Sequence, residues 1–179
     1  SLRRRGASPA QGPAPQWRMN PPAFTLRDAQ PQDLPAIVGL IRELADFEQL
    51  THLVSVTPET LQPHLFGPRP VAEGLVGEVQ GQVVAFALFF TNFSTFLGQP
   101  GLYLEDLYVQ PAHRRSGLGS ALLQRLAALA VRRGCGRFEW SVLDWNANAI
   151  DFYRRMGATV MPDWRICRVT GTALAALAR

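Results

Sequence analysis

At 179 residues the chain has room for one domain with a sizeable core and too few for two ordinary ones. Nearly half of it is apolar and under a fifth charged, which excludes a disordered or fibrous protein, and the longest unbroken apolar run, residues 83–90, falls far short of the roughly 20 residues of a membrane helix. The net charge of +4 is local: Arg3, Arg4, Arg5 and Arg18 precede every acid, and the remaining 14 basic residues equal the 14 acids, so neither nucleic acid nor a membrane is an expected partner.

The opening stretch, with its Gly and Pro content and no apolar signal core, reads as a disordered extension over residues 1–22, with Met19 a candidate start. A domain over residues 23–179 follows. Phe24-Thr25-Leu26-Arg27 alternates as a half-buried strand does, and Asp33 with Pro35 signals a helix start. Apolar residues at helical spacing from Leu34 to Phe47 extend that helix over residues 33–48. Thr57 as N-cap with Pro58 at the first position predicts a short helix over 57–66.

Three strand-like stretches follow, 71–79, 82–93 and 102–109, with turns at Gly81 and at Gly98-Gln99-Pro100-Gly101, and an antiparallel meander is expected. Residues 118–131 are Leu/Ala-rich with one apolar face, and Gly134 sits where a C-cap belongs. A strand over 137–143, a helix over 146–156 ending at Gly157 and a last strand over 164–169 complete the chain. The crossover through helix 118–131 makes its flanking strands parallel neighbours. The expected fold is α/β, a mixed, mainly antiparallel twisted sheet with helices on both faces.

Cys135 and Cys167 have no metal-ligand spacing, so no metal is expected, and reduced thiols point to a cytoplasmic protein. The chemistry-bearing motif is Arg114-Arg115-Ser116-Gly117-Leu118-Gly119, set between a strand and a helix. A helix N-terminus offers unpaired N–H groups and partial positive charge, and glycines let a phosphate come close. The absence of Lys-Ser/Thr after the second glycine argues against a nucleotide P-loop.

With this motif in this setting, the chain resembles the GNAT acetyltransferase superfamily, and within it the group of spermidine/spermine N1-acetyltransferases and thialysine acetyltransferases. The likeness extends over residues 24–169. It rests on the motif, on Ile41-Arg42-Glu43-Leu44-Ala45-Asp46-Phe47-Glu48, on Leu102-Tyr103-Leu104-Glu105-Asp106-Leu107-Tyr108-Val109, and on Trp145-Asn146, Phe152-Tyr153-Arg154-Arg155, Gly157-Ala158 and Trp164-Arg165.

The resemblance implies acetyl-CoA as co-substrate, a small primary amine as acceptor and a homodimer. It assigns acetyl-CoA contacts to Leu107, Tyr108 and Val109, to Arg114, Arg115, Ser116, Gly117, Leu118, Gly119 and Ser120, and to Asn146, for which an N-cap role is an equal alternative. Glu105 is the expected proton acceptor for the ammonium, and strand alternation points Asp106 to the opposite face. Tyr153 is the expected proton donor to the departing thiolate, and Phe47 and Glu48 line the amine site. Two departures stand out: Arg115 replaces a frequent glycine, and the stretch from Gly157 to Trp164 is short. The resemblance leaves room for another acceptor (an amino acid, antibiotic or protein amine) or for a non-catalytic acyl-CoA-binding protein on the same fold.

Overall fold

The computed structural model describes residues 23–179. The expected extension over residues 1–22 lies outside them. The chain falls into two compact units, one ending at Trp140 and one from Ser141 to Arg179.

The first unit is built on a five-stranded sheet: β1 (Thr25–Asp28), β2 (Glu73–Val79), β3 (Gln82–Ser94), β4 (Gln99–Val109) and β5 (Arg137–Trp140), adjacent in chain order. The first four strands pair antiparallel, and β5 runs parallel to β4, as the crossover rule requires. The turn between β3 and β4 lies at residues 95–98, so Gln99, Pro100 and Gly101, expected as turn, belong to β4. Pairing with Ser94, Phe93 and Asn92 extends the ladder through them.

Helices α1 (Leu34–Phe47) and α2 (Pro58–Phe66) cover one face, where Ile37, Leu40 and Leu65 pack on Val76, Phe86, Leu88 and Tyr108. Helix α3 (Leu118–Arg132) covers the other, burying Leu118, Leu122, Leu123 and Leu126. Gly77 permits this approach, since a Cβ there would lie 2.9 Å from Leu118 Cδ1. Burial of these four leucines, each contributing about 1.5–3 kcal/mol, fixes how α3 seats on the sheet.

Thr57 caps α2 as expected, accepting from Thr60 N–H at 3.2 Å. Asp33 does not cap α1. It closes a 3-10 turn over Pro31–Asp33, accepts from Gln30 N–H at 2.7 Å and takes both terminal nitrogens of Arg27 at 2.7 and 2.8 Å. That hydrogen-bonded guanidinium holds the Asp33 carboxyl below its ordinary pKa against the opposing effect of burial. A cation from β1 outcompetes a helix-end N–H for this carboxylate.

The second unit carries α4 (Ala147–Arg155) and α5 (Gly171–Leu177). Helix α5 has no counterpart among the expected elements. The expected strand over 164–169 is not formed: the segment is irregular and exposed, with Trp164 and Ile166 at 77% and 72%. Its alternation suits a strand, but a strand needs a hydrogen-bonding neighbour, and the unit's regular elements are helices alone.

Candidate active site

Strand β4 changes character halfway along. From Gly101 to Leu104 it is paired on both sides, with β3 and with Arg137–Trp140 of β5. Beyond Leu104 the β5 side of β4 has no strand partner among the described residues. The pairing of β4 with β5 therefore ends before Leu107, Tyr108 and Val109, whose backbone groups were expected to serve a ligand.

At the same point β4 bulges. Leu88 faces Asp106 and Phe89 faces Leu104, so Glu105 is the extra residue. The bulge overrides simple alternation. Asp106 shares a face with Leu88, Phe86 and Tyr108, the face on which α1 packs, and Leu104 lies on the other.

The carboxyl of Asp106 is pushed up to about 6 by burial first, then by the negative charges of Glu105 and Glu48. Burial also raises Glu48, the residue that closes α1. Glu48, Glu105 and Asp106 thus form one acidic group. Its position on a sheet face beside an exposed Phe47 suits a ligand that brings positive charge. Asp106 is the residue that the sequence did not reveal; its only signal was a second carboxylate within an apolar strand.

Tyr108 is 6% exposed, and its hydroxyl donates to Glu43 Oε1 at 3.4 Å, while Gln110 Nε2 donates to Glu43 Oε2 at 3.0 Å. Burial and the Glu43 charge raise the phenol's pKa. Arg114 Nε donates to the Val109 carbonyl at 2.9 Å, and its guanidinium lies 5.6 Å from the Phe47 ring centre and 5.5 Å from that of Tyr108.

The loop itself is shaped by two left-handed residues, Arg115 at φ 68° and Gly117 at φ 86°. A side chain in this region costs about 1–2 kcal/mol, which favours glycine at position 115 on backbone grounds. Ser116 Oγ donates to His113 O at 2.6 Å and steadies the turn. The ladder of α3 starts with Ala121 N–H on Gly117 O at 2.9 Å, so the N–H groups of Leu118, Gly119 and Ser120 lie ahead of it. Leu118 is 1% exposed, which leaves only its backbone to a ligand. A Cβ on Gly119 would come no nearer than 3.9 Å to Val109 Cγ2, ordinary contact, so the chain's own packing does not demand glycine.

In the second unit, Asn146 caps α4, its Oδ1 accepting from Ala149 N–H at 3.3 Å. Tyr153 lies on α4 beside Phe152, ring centres 5.6 Å apart. Phe47, Glu48, Glu105, Asp106, Tyr108 and the loop are assembled by the first unit; Asn146 and Tyr153 belong to the second.

Strand β4 thus runs past the end of β5 into a glycine loop and a helix N-terminus, and the family match makes this the frame of an acyltransferase. The chain belongs to the acetyltransferase (GNAT) family, whose profile matches residues 40–158. Among curated relatives, the thialysine N-epsilon-acetyltransferase of Mus musculus is 38% identical over 86% of this chain and 96% of its own. The L-ornithine N5-acetyltransferase NATA1 of Arabidopsis thaliana is 36% identical over 85% of this chain and 86% of its own. Among solved structures, an integron cassette protein from the mobile metagenome of V. cholerae superposes with a TM-score of 0.74 at 22% identity, covering 88% of this chain and 98% of that one. That likeness bears on the fold. No helix among the described residues is long and apolar enough to cross a membrane.

Proposed function

We propose that the protein transfers the acetyl group of acetyl-CoA to a small primary amine carrying a second charged group, of the ornithine, thialysine or polyamine kind, by direct attack in a ternary complex. The observation that carries this reading is the group of three carboxylates, Glu105 and Asp106 at the β4 bulge with Glu48 at the end of α1, where β4 runs past the end of β5. The curated relatives act on ornithine and thialysine, both diamino compounds by name and chemistry.

The loop suits a pyrophosphate. N–H groups of Gly117, Leu118, Gly119 and Ser120 precede the α3 ladder, and Arg115 supplies charge. Acetyl-CoA supplies a thioester carbonyl with a good leaving group. Backbone N–H donors of Leu107 and Val109 face the unpaired edge, the N–H of Tyr108 between them turning to β3 as that of Gln110 does, and they suit the charge developing on the carbonyl oxygen. Asn146 joins this set through the family likeness, with its capping role in α4.

An alkylamine has a pKa near 10 and reaches the site mostly protonated. Glu48 and Asp106 attract the ammonium groups, and Glu105, exposed at the bulge, takes the proton directly or through water. The nitrogen then forms the C–N bond as the C–S bond breaks; Glu105, having passed the first proton to solvent, takes the second from the acylated nitrogen, and Tyr153 protonates the thiolate and recovers its own proton from solvent. We place the enzyme in the cytoplasm as a homodimer, on family likeness and its free thiols.

The test is thiol release across ornithine, thialysine, spermidine and monoamine controls. Wild-type turnover is expected on diamines above monoamines. Glu105→Gln lowers kcat/KM by about 10²–10⁴ and flattens its pH profile, the range for a lost general base, and Tyr153→Phe lowers kcat with little change in KM. Near-wild-type turnover by Glu105→Gln removes it from the mechanism. Tight acetyl-CoA binding with no turnover on any amine favours a binding protein instead.

A further inference from the structure

The side chain of Arg114 opens the glycine loop, where a phosphate ligand would be expected, but it is engaged elsewhere. Its Nε is spent on the Val109 carbonyl, and its guanidinium rests by the rings of Phe47 and Tyr108. Tyr108 in turn reaches back to α1 through its hydroxyl on Glu43. Glu43 and Phe47 are four residues apart, on one face of α1. Both ends of that four-residue span are therefore tied to Tyr108, one through a hydrogen bond and the other through the arginine. Gln110, the residue after β4, adds a second bond to Glu43 at 3.0 Å.

Phe47 is 44% exposed, and the helix ends on it. The next residue, Glu48, carries one of the acidic group's three charges, and β4 carries the other two. The spacing of Glu48 from Glu105 and Asp106 depends on how the end of α1 is held against β4. No buried side chain of α1 lies beyond Leu40, so apolar packing alone holds this end less firmly than the start.

We infer that Arg114 is a positioning residue for the amine side of the site: its guanidinium, fixed on Val109 and shared between Phe47 and Tyr108, clamps the end of α1 to β4 and sets the spacing of the acceptor carboxylates. This rests on the acetyl-transfer reading above and changes the role of one residue within it. The loop's backbone remains the phosphate cradle, and the Arg114 side chain serves the other substrate.

The test measures acetyl-CoA Kd by calorimetry and amine KM by thiol release for wild type, Arg114→Gln, Arg114→Lys, Phe47→Leu and the Arg114→Gln/Phe47→Leu pair. Arg114→Gln is expected to raise amine KM by about tenfold, the size of a cation–π contact with a charged hydrogen bond, and to move acetyl-CoA Kd by less than about twofold, a negligible share of binding energy. Arg114→Lys recovers part of the loss, because it keeps the cation without the planar fork. The double variant is expected to be no worse than the poorer single one, the mark of a shared contact. A tenfold weaker acetyl-CoA Kd with amine KM unchanged makes Arg114 a phosphate ligand and overturns the inference, as do strictly additive effects on amine KM. Wild-type protein that acetylates no amine sinks the functional reading and this inference with it; wild-type turnover with either overturning result sinks the inference alone.

Discussion

The two halves of β4 belong to one strand and have opposite fates. Gly101–Leu104 is held by a ladder on each side, and Leu102 and Leu104 are buried at 0% and 2%. Glu105 to Val109 keeps one ladder, begins with a bulge and carries two adjacent carboxylates. A strand stabilises a sheet where it is regular, and frees backbone and side-chain groups for a ligand where it is not. The same division shows in the charges: the first half has none, and the second holds Asp106 in a state that costs the fold energy.

Substitutions in the two halves should therefore fail in different ways. Leu102→Ala removes a fully buried side chain and is expected to lower unfolding free energy by about 2–5 kcal/mol, read by urea titration, while KM values for the fraction that stays folded remain near wild type. Glu105→Gln should do the reverse, losing turnover with a midpoint close to wild type, since its side chain is exposed and no buried contact depends on it. A large stability loss in Glu105→Gln, or a selective KM change in Leu102→Ala, would erase the distinction between the halves.

Asp106 sharpens the comparison, with a smaller effect of opposite sign. Its carboxyl is raised on folding from an ordinary 3.8 to about 6, by burial ahead of its acidic neighbours. The folded state therefore favours the protonated form. Relative to its high-pH state, the fold has that advantage in full below 3.8 and loses it as pH rises through about 6. Asp106→Asn should raise stability at pH 8 by up to about 2–3 kcal/mol, the equivalent of two pKa units, with the gain shrinking as pH falls through 6 towards 4. Urea midpoints at pH 8 and 5 check this. The same variant should raise amine KM at pH 8, and wild-type amine KM should rise as pH drops below 6 and the acidic group loses charge. A destabilised Asp106→Asn at pH 8 would mean that the charged carboxylate is held by favourable partners, contrary to its burial and neighbours.

How far the sequence revealed this contrast depends on what each feature rests on. The loop and α3 were legible because their signals are local: glycines, a Leu/Ala face and a preceding apolar strand. The meander was legible for the same reason. The bulge was not, because it is a relation between two strands, visible only when Leu88 and Phe89 are matched to Asp106 and Leu104. Alternation in Leu-Glu-Asp-Leu would put Leu104 and Asp106 on one face, and the bulge separates them. The segment 164–169 fails for a related reason, since its pattern expresses the capacity to be a strand and says nothing of a neighbour. Asp33 has the features of a cap, and Arg27, six residues earlier, captures it. The positive φ of Arg115 was half visible, as a departure from the glycine of the resembling group.

The smallest expected effects lie in the loop that follows β4, where conformational demand can be separated from ligand demand. Gly117 at φ 86° requires glycine on backbone grounds, so Gly117→Ala should cost about 1–2 kcal/mol of stability. Arg115 at φ 68° bears that strain already, and Arg115→Gly should gain up to about 1 kcal/mol once the extra freedom of glycine in the unfolded chain is subtracted. Gly119 differs from both: it is helical, without positive φ, and a Cβ would make only ordinary contact with Val109. Gly119→Ala should therefore leave the fold as stable or firmer by about 0.5–1 kcal/mol, the helix preference for alanine. Its acetyl-CoA Kd should nevertheless weaken severalfold, because a methyl group would stand between the backbone N–H groups and a phosphate oxygen. Unfolding and calorimetry on the one variant read the two demands separately. A Gly119→Ala protein that binds acetyl-CoA as wild type does would move the phosphate away from the first turn of α3.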